Sequence, residues 1–330
     1  MAVSPTSLRA RERRRTRRDV SDEPTRADRL FGALTSAAGL TVLALLVLIG
    51  LFLLLRSLDA FDVMGLRFFT TVEWDVQSDT ANFGVLGLLI GTVLVALVAV
   101  SIAVPLGVCT GLFITDYASP RWRGVLTGLV DLLAAIPSLL YGLWGFLLLD
   151  DQIVPLSRWI SRHLDWMPWF EVDADSDFTG TMFIAGMVVS LMVLPIVASI
   201  TREVFSQTPP GEKEAALALG GTRWGMVRKV VLPFGRGGIV GGSMLGLGRA
   251  LGETIAVSLL LPQVPKETIR ILQNGGATVS GFIVQRSGGN DLNVSGLMAA
   301  GLVLFAMTLA TNMLASVVIS RSRSGAGVEV

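Results

Sequence analysis

Six stretches of this 330-residue chain, residues 33–55, 84–108, 124–149, 181–200, 237–261 and 294–320, are apolar or small and almost free of charge. Each is about as long as the roughly 20-residue helix that crosses a hydrocarbon core of about 30 Å. Inside that core only a helix or a closed barrel satisfies every backbone group. The chain is therefore expected to be an all-α integral membrane protein with six transmembrane helices.

Composition agrees. Hydrophobic residues make up 52% of the chain and charged residues 16%, with a mean hydropathy of +0.63, whereas soluble domains are about a quarter charged. One cysteine, Cys109, excludes an intrachain disulfide and a cysteine-cluster metal site. The lone histidine, His163, lies among polar residues and is expected in a solvated loop.

Basic residues set the orientation. With a cytoplasmic N-terminus, the cytoplasmic segments hold 19 of the 27 Lys and Arg residues, the outer segments hold seven, and Arg249 is the last. Such a bias is expected to place both termini of a multi-pass membrane protein in the cytoplasm. Fourteen of the 26 acidic residues fall in the outer loops and would meet a docking partner there.

Residues 1–30 form a basic tail, expected to be disordered and cytoplasmic, ahead of a transmembrane body over residues 31–320 and a short cytoplasmic tail over 321–330. The run RARERRRTRR (residues 9–18) reads as a topology determinant that touches anionic membrane lipids rather than nucleic acid. Stretch 33–55 is too long for the roughly 7–15-residue core of a signal peptide, and no A-x-A site follows it, so it is expected to stay as an anchor.

Between the fourth and fifth stretches, residues 201–236 carry signals for two short helices on the cytoplasmic face. The first opens after Thr208-Pro209-Pro210, with Glu212 and Glu214 in its early turns, and stops at Gly220-Gly221. Thr222 is placed to cap the second, which is expected to end near Pro233.

Glu214-Ala215-Ala216, then Gly220, then Val230-Val231-Leu232-Pro233 resemble the EAA loop (EAA-x3-G-x9-I-x-L-P) of the permeases of ABC importers. The segments AAIPSLLYGLWG (134–145), FGVLGLLIGTVLVALVAVSIAVPLG (83–107) and GRALGETIAVSLLL (248–261) narrow the resemblance to the C-type permease of the bacterial phosphate-specific importer. Its A-type sister subunit, or a permease for another oxyanion, is the nearest alternative. The resemblance implies a type I importer fold in which Glu214, Ala215, Ala216 and Gly220 belong to a coupling helix seated on a separate ATPase subunit. It also implies a homologous A-type permease partner, an ATPase dimer below, a phosphate-binding protein above, and inorganic phosphate as cargo. The chain has no G-x-x-x-x-G-K-[ST] loop, so ATP and magnesium would be bound by the partner ATPase subunits and no cofactor by this chain.

Arg249 and Glu253 interrupt the fifth stretch. Arg249 lies about 18 Å along the helix from Gly237, near the bilayer midplane, where an ionisable side chain costs about 2.5–3.5 kcal/mol or more. On a continuous helix Gly238, Gly242, Gly246, Arg249 and Glu253 share a sector of roughly 80°, so a glycine track is expected to lead to a self-satisfying ion pair. One reading places the pair on the translocation path, with the guanidinium fork matched to an oxyanion. The other makes it structural glue between helices. Asp131, Ser138 and Gly142 are expected on one face of the third span, near Tyr141, with Pro137 kinking that helix toward the path. Asp131, Ser138 and Tyr141 therefore join Arg249 and Glu253 as candidate path residues. Asp131 is also close to its helix N-terminus, where a carboxylate is favoured without any function.

Asp173, Asp175 and Asp177 alternate as in calcium loops, but the glycine and distal glutamate of such loops are absent and no metal site is expected. Trp166, Trp169 and Phe170 read as interfacial anchors. The reading that accounts for most features is a permease subunit of an ATP-driven phosphate importer with no catalytic site of its own. A stand-alone anion transporter or channel leaves the EAA loop without purpose, and an intramembrane enzyme lacks a nucleophile–base or metal-ligand set in the spans.

Overall fold

The computed structural model describes residues 26–77, 81–173 and 176–322. The basic run 9–18, the end of the chain beyond residue 322, and Asp175 lie outside them. Regular structure is helical apart from a small hairpin, β1 (Trp74–Asp75) against β2 (Asn82–Phe83).

Contacts divide the chain after Leu51. The first unit holds most of α1 (Arg26–Arg56), a 31-residue helix with no buried residue. A helix apolar all round is one that only a membrane or another membrane helix can cover.

The second unit begins with α2 (Leu58–Met64) and the hairpin, then α3 (Leu86–Leu112), which a π-helical turn, Phe113–Tyr117, prolongs. Next come α4 (Pro120–Ala135), α5 (Ser138–Trp144) and α6 (Asp150–His163). After α7 (Met182–Ser206) stand the short α8 (Pro210–Ala218) and α9 (Arg223–Met226). The long α10 (Leu232–Gly252), the short α11 (Ile255–Leu260) and α12 (Val279–Arg286), and α13 (Asp291–Ser322) complete the unit. Among the described residues, five helical runs are long and apolar enough to cross a membrane, or six if the bent pair α4–α5 is one span. The multi-span all-α class expected from the sequence is the class found.

The core is the pair α3–α7, the most extensive helix contact in the chain. Ala96, Ala99 and Ala103 of α3 and Val189, Val193 and Val197 of α7 are fully or almost fully buried there. In lipid, helices associate by close packing of small residues rather than by leaving water, which is why α3 presents alanines to this seam. Thr181 starts α7 by accepting a hydrogen bond from Ile184 N at 3.3 Å.

Helix α10 lies against α7 through its glycines. A Cβ on Gly246 would stand 2.6 Å from Val193 Cγ1, one on Gly242 3.3 Å from Ile200 Cγ2, and one on Gly238 would strike Val204. The glycine track is thus filled by α7, and is a packing face rather than a conduit.

Three expectations about helix limits need correction. The helix after Thr222 does not end near Pro233. Its run continues from Arg223 to Gly252, because a π turn at Val227–Val231 immediately precedes the proline and absorbs its missing donor and its ring. The fifth span stops at Gly252 instead of reaching residue 261. The third span breaks: Ile136, forced extended by the following Pro137 (φ −68°, ψ 128°), ends α4, and α5 departs at 88°.

His163 is not in a loop but closes α6, with Nδ1 2.8 Å from Trp159 O and its ring stacked on Trp159. The segment after Leu261 is likewise no free loop. Gln263 donates to Val257 O at 3.2 Å and accepts from Thr278 N at 3.1 Å, while Val279 N donates to Thr92 Oγ1 of α3 at 3.0 Å. Residues 277–282 are buried as a result.

Candidate functional site

Arg249 sits exposed in the last turn of α10, where unpaired carbonyls favour a cation. Four residues on, Glu253 is already outside the helix, in extended conformation (φ −66°, ψ 125°). Its side chain is buried, and Oε1 accepts a long hydrogen bond, 3.4 Å, from Ala256 N at the start of α11. Its carbonyl accepts from Ser280 Oγ at 2.7 Å. The expected ion pair is absent: the pairs seen among the described residues join other groups. The i, i+4 spacing fails because the helix that would bring the two side chains together ends between them.

Tyr141 is buried on α5, and its hydroxyl donates to Leu133 O at 2.9 Å, tying the two arms of the bent span. The Arg249 charge is near enough to act on Tyr141 electrostatically. Ser138, half-buried, is one turn before Tyr141 on the same short helix. A Cβ on Gly142 would be 2.7 Å from Ala256 Cα, so α5 rests directly on α11, next to the residue whose amide Glu253 holds. The broken and bent spans thus bring Arg249, Tyr141 and Glu253 to one neighbourhood. Asp131 does not join it: it is exposed on α4, across the bend, and shares no helix face with Ser138.

Glu214 and Ala215 are exposed on α8, and Ala216 is half-buried. Gly220 has φ +83°, the left-handed conformation that ends a helix without a Cβ clash. Thr222 accepts from Gly225 N at 3.0 Å and caps α9, as its position predicts. The sequence gives no hint of what fixes α8: Lys213 Nζ lies 2.7 Å from Asp116 Oδ1 in the π turn that ends α3. No local spacing connects residues 97 positions apart.

On the opposite loop, Asp173 pairs with Arg270 Nη1 at 2.9 Å and also accepts from Gln273, and Glu171 pairs with Arg270 at 3.1 Å. Asp177 accepts from the Thr179 hydroxyl, and this hydrogen bond is the main reason its carboxyl is held below the usual aspartate range. These acids pin loop to loop. Among the described residues no group of three or more His, Cys, Asp or Glu side chains is placed to hold a metal ion.

With that geometry in view, the comparisons with known proteins fit one class. Residues 103–324 match the family described as binding-protein-dependent transport system inner membrane component. The "Phosphate transport system permease protein PstC 2" of Mycobacterium tuberculosis is 42% identical over 291 residues, covering 87% of this chain and 90% of that protein. The PstC permease of Xylella fastidiosa is 35% identical over 320 residues, covering 92% and 93%. Among solved structures, a bacterial ABC transporter involved in the import of the acidic polysaccharide alginate matches with TM-score 0.53 at 17% identity, over 89% of this chain and 99% of that one. That likeness concerns the fold alone. The chain belongs to the inner-membrane permease subunits of ABC importers, and within them to the PstC family.

Proposed function

We propose that this subunit moves inorganic phosphate inward across a bacterial cell membrane, beside a homologous A-type permease and powered by ATP hydrolysed on a partner ATPase dimer. The observation that carries the substrate is the 42% identity to PstC 2 permeases over 87% of the chain. An extracytoplasmic phosphate-binding protein delivers the cargo on the acidic face, and both termini are cytoplasmic, flanking a permease body over residues 31–320.

In this reading Arg249 is the substrate contact. Its fork of donors suits a tetrahedral oxyanion, and its exposure leaves those donors available. Tyr141 and Ser138 line the same stretch of path, and buried Glu253 opposes over-tight capture of an anion, which transport requires because the ion must leave again. Asp131 is assigned to the path entrance on the cytoplasmic arm α4. Helix α8 with Gly220 is the coupling helix: its exposed Glu214 and Ala215 are free to enter an ATPase groove, and the small side chains allow close approach.

The test of coupling is Gly220→Trp, whose Cβ meets open space and whose backbone strain at φ +83° is confined to the exposed end of α8, so the subunit should still insert and phosphate uptake should be abolished. Normal uptake by a well-expressed Gly220→Trp subunit removes the assignment. Phosphate uptake into proteoliposomes holding the full complex, with sulfate as competitor, tests the cargo.

A further inference from the structure

Helix α8 buries no residue of its own, yet it must be held firmly if it is to pass on any movement. Two contacts hold it. Ala216 packs on a small cluster built from Leu112 of α3, Phe205 of α7, and Met226, Val227 and Val231 of the α9 run. The other contact is the Lys213–Asp116 ion pair at 2.7 Å, with the Asp116 side chain 6% exposed and that of Lys213 20%.

We infer that Asp116 and Lys213 form a strut that carries the displacement of α8 into α3, and so are positioning residues for energy coupling. The inference rests on reading α8 as the coupling helix. An apolar contact such as that of Ala216 resists compression and slides under tension. A short ion pair is directional and holds under both. The Lys213 ammonium also lies 3.5 Å from Phe205 O at the end of α7, so the strut meets both helices of the core pair. Because α3 and α7 are the most extensively packed helices of the chain, a pull on one draws the other with it.

The placement of Asp116 supports the role. It lies in the π turn Phe113–Tyr117, a local widening of the helix of the kind that recurs at functional positions. Asp116 Oδ2 is buried without a hydrogen-bond partner among the described residues, and so is Thr208 Oγ1, two residues before α8. Buried polar groups are normally paired, and this spare capacity gives the joint room to re-pair when α8 moves.

The experiment uses the complete complex in proteoliposomes, with both permeases, the ATPase dimer and the binding protein, and reads phosphate moved per ATP hydrolysed. Asp116→Asn and Lys213→Met should assemble and hydrolyse ATP while the ratio falls about fivefold or more. Lys213→Arg, and the charge exchange Asp116→Lys with Lys213→Asp, should recover at least half of it. A wild-type ratio in both single variants overturns the strut. In a Cys109→Ser background, a short thiol cross-linker joining Asp116→Cys to Lys213→Cys should restore the ratio that the unlinked pair lacks. A linked complex no better than the unlinked one also overturns it, and this arm does not depend on the single variants. Gly220→Trp separates the two hypotheses: normal uptake there removes the coupling helix itself, whereas the strut alone fails if Gly220→Trp abolishes uptake and Asp116→Asn and Lys213→Met both leave the ratio unchanged.

Discussion

Arg249 and Glu253 are four residues apart in sequence and parted by the end of α10: the guanidinium is exposed in its last turn, and the carboxylate lies buried in the extended segment before α11, with no ion pair to it among the described residues. The first is therefore available to an anion. The second is held by the backbone amide of Ala256.

Two variants follow from that separation. Arg249→Lys keeps the charge and loses the planar fork, so phosphate uptake per assembled complex should fall about 10-fold, the scale of one charge-assisted hydrogen bond. Glu253→Gln keeps an acceptor for Ala256 N, so the complex should assemble; with the repelling charge gone, apparent KM and turnover should fall together. Unchanged uptake per complex in Arg249→Lys ends the pathway reading.

The Tyr141 hydroxyl clamps the bent span through Leu133 O. Tyr141→Phe removes one hydrogen bond worth about 1 kcal/mol and leaves the Leu133 carbonyl with only its longer bond from Ile136 N, at 3.4 Å. The purified complex should melt a few degrees lower, with uptake reduced less than in Arg249→Lys. An unchanged melting temperature would mean that the bend is held by Pro137 and packing alone.

Orientation is testable at two exposed positions, Asp165 and Ser206. With the exposed Cys109 replaced by serine, Asp165→Cys should react with a membrane-impermeant thiol reagent in intact cells and Ser206→Cys only after permeabilisation. Equal labelling would contradict the six-span topology.

The loop clasp of Asp177 with Thr179 and Asn274 depends on ionised carboxylate. Because the folded pKa is depressed, its contribution is fully present above the ordinary value of 3.8 and is lost as pH falls through the lower folded value. Amide exchange in residues 176–180 should therefore be equally slow, after correction for intrinsic rates, at pH 7 and pH 5 and should quicken only below that value. Loosening between pH 7 and pH 5 would show that another group controls the loop.

Much of this was legible in the sequence because it rests on local physics. Apolar length marked the spans, Thr222 announced a cap, and Gly220 announced a stop with positive φ. The Arg249–Glu253 spacing implies an ion pair only on a continuous helix, and the helix ends at Gly252; Ser138 and Asp131 are separated by a break sharper than a kink. A π turn ahead of Pro233 let a helix run through a residue that usually stops one. The Lys213–Asp116 and Thr92–Val279 contacts span 97 and 187 positions, distances over which helical periodicity says nothing.

The burial of residues 277–282 has a practical consequence for anyone who engineers this subunit. Hydropathy invites an epitope tag or a reporter fusion anywhere between the fifth and sixth spans, yet the amide of Val279 is docked on α3 and the carbonyl of Ala277 lies against Gly91. An insertion there pries a wedge out of the bundle. A few residues later, at Gly288 and Gly289, the chain is exposed in a positive-φ turn tied back to the Asn293 amide rather than docked on the bundle, and that is where a tag disturbs less.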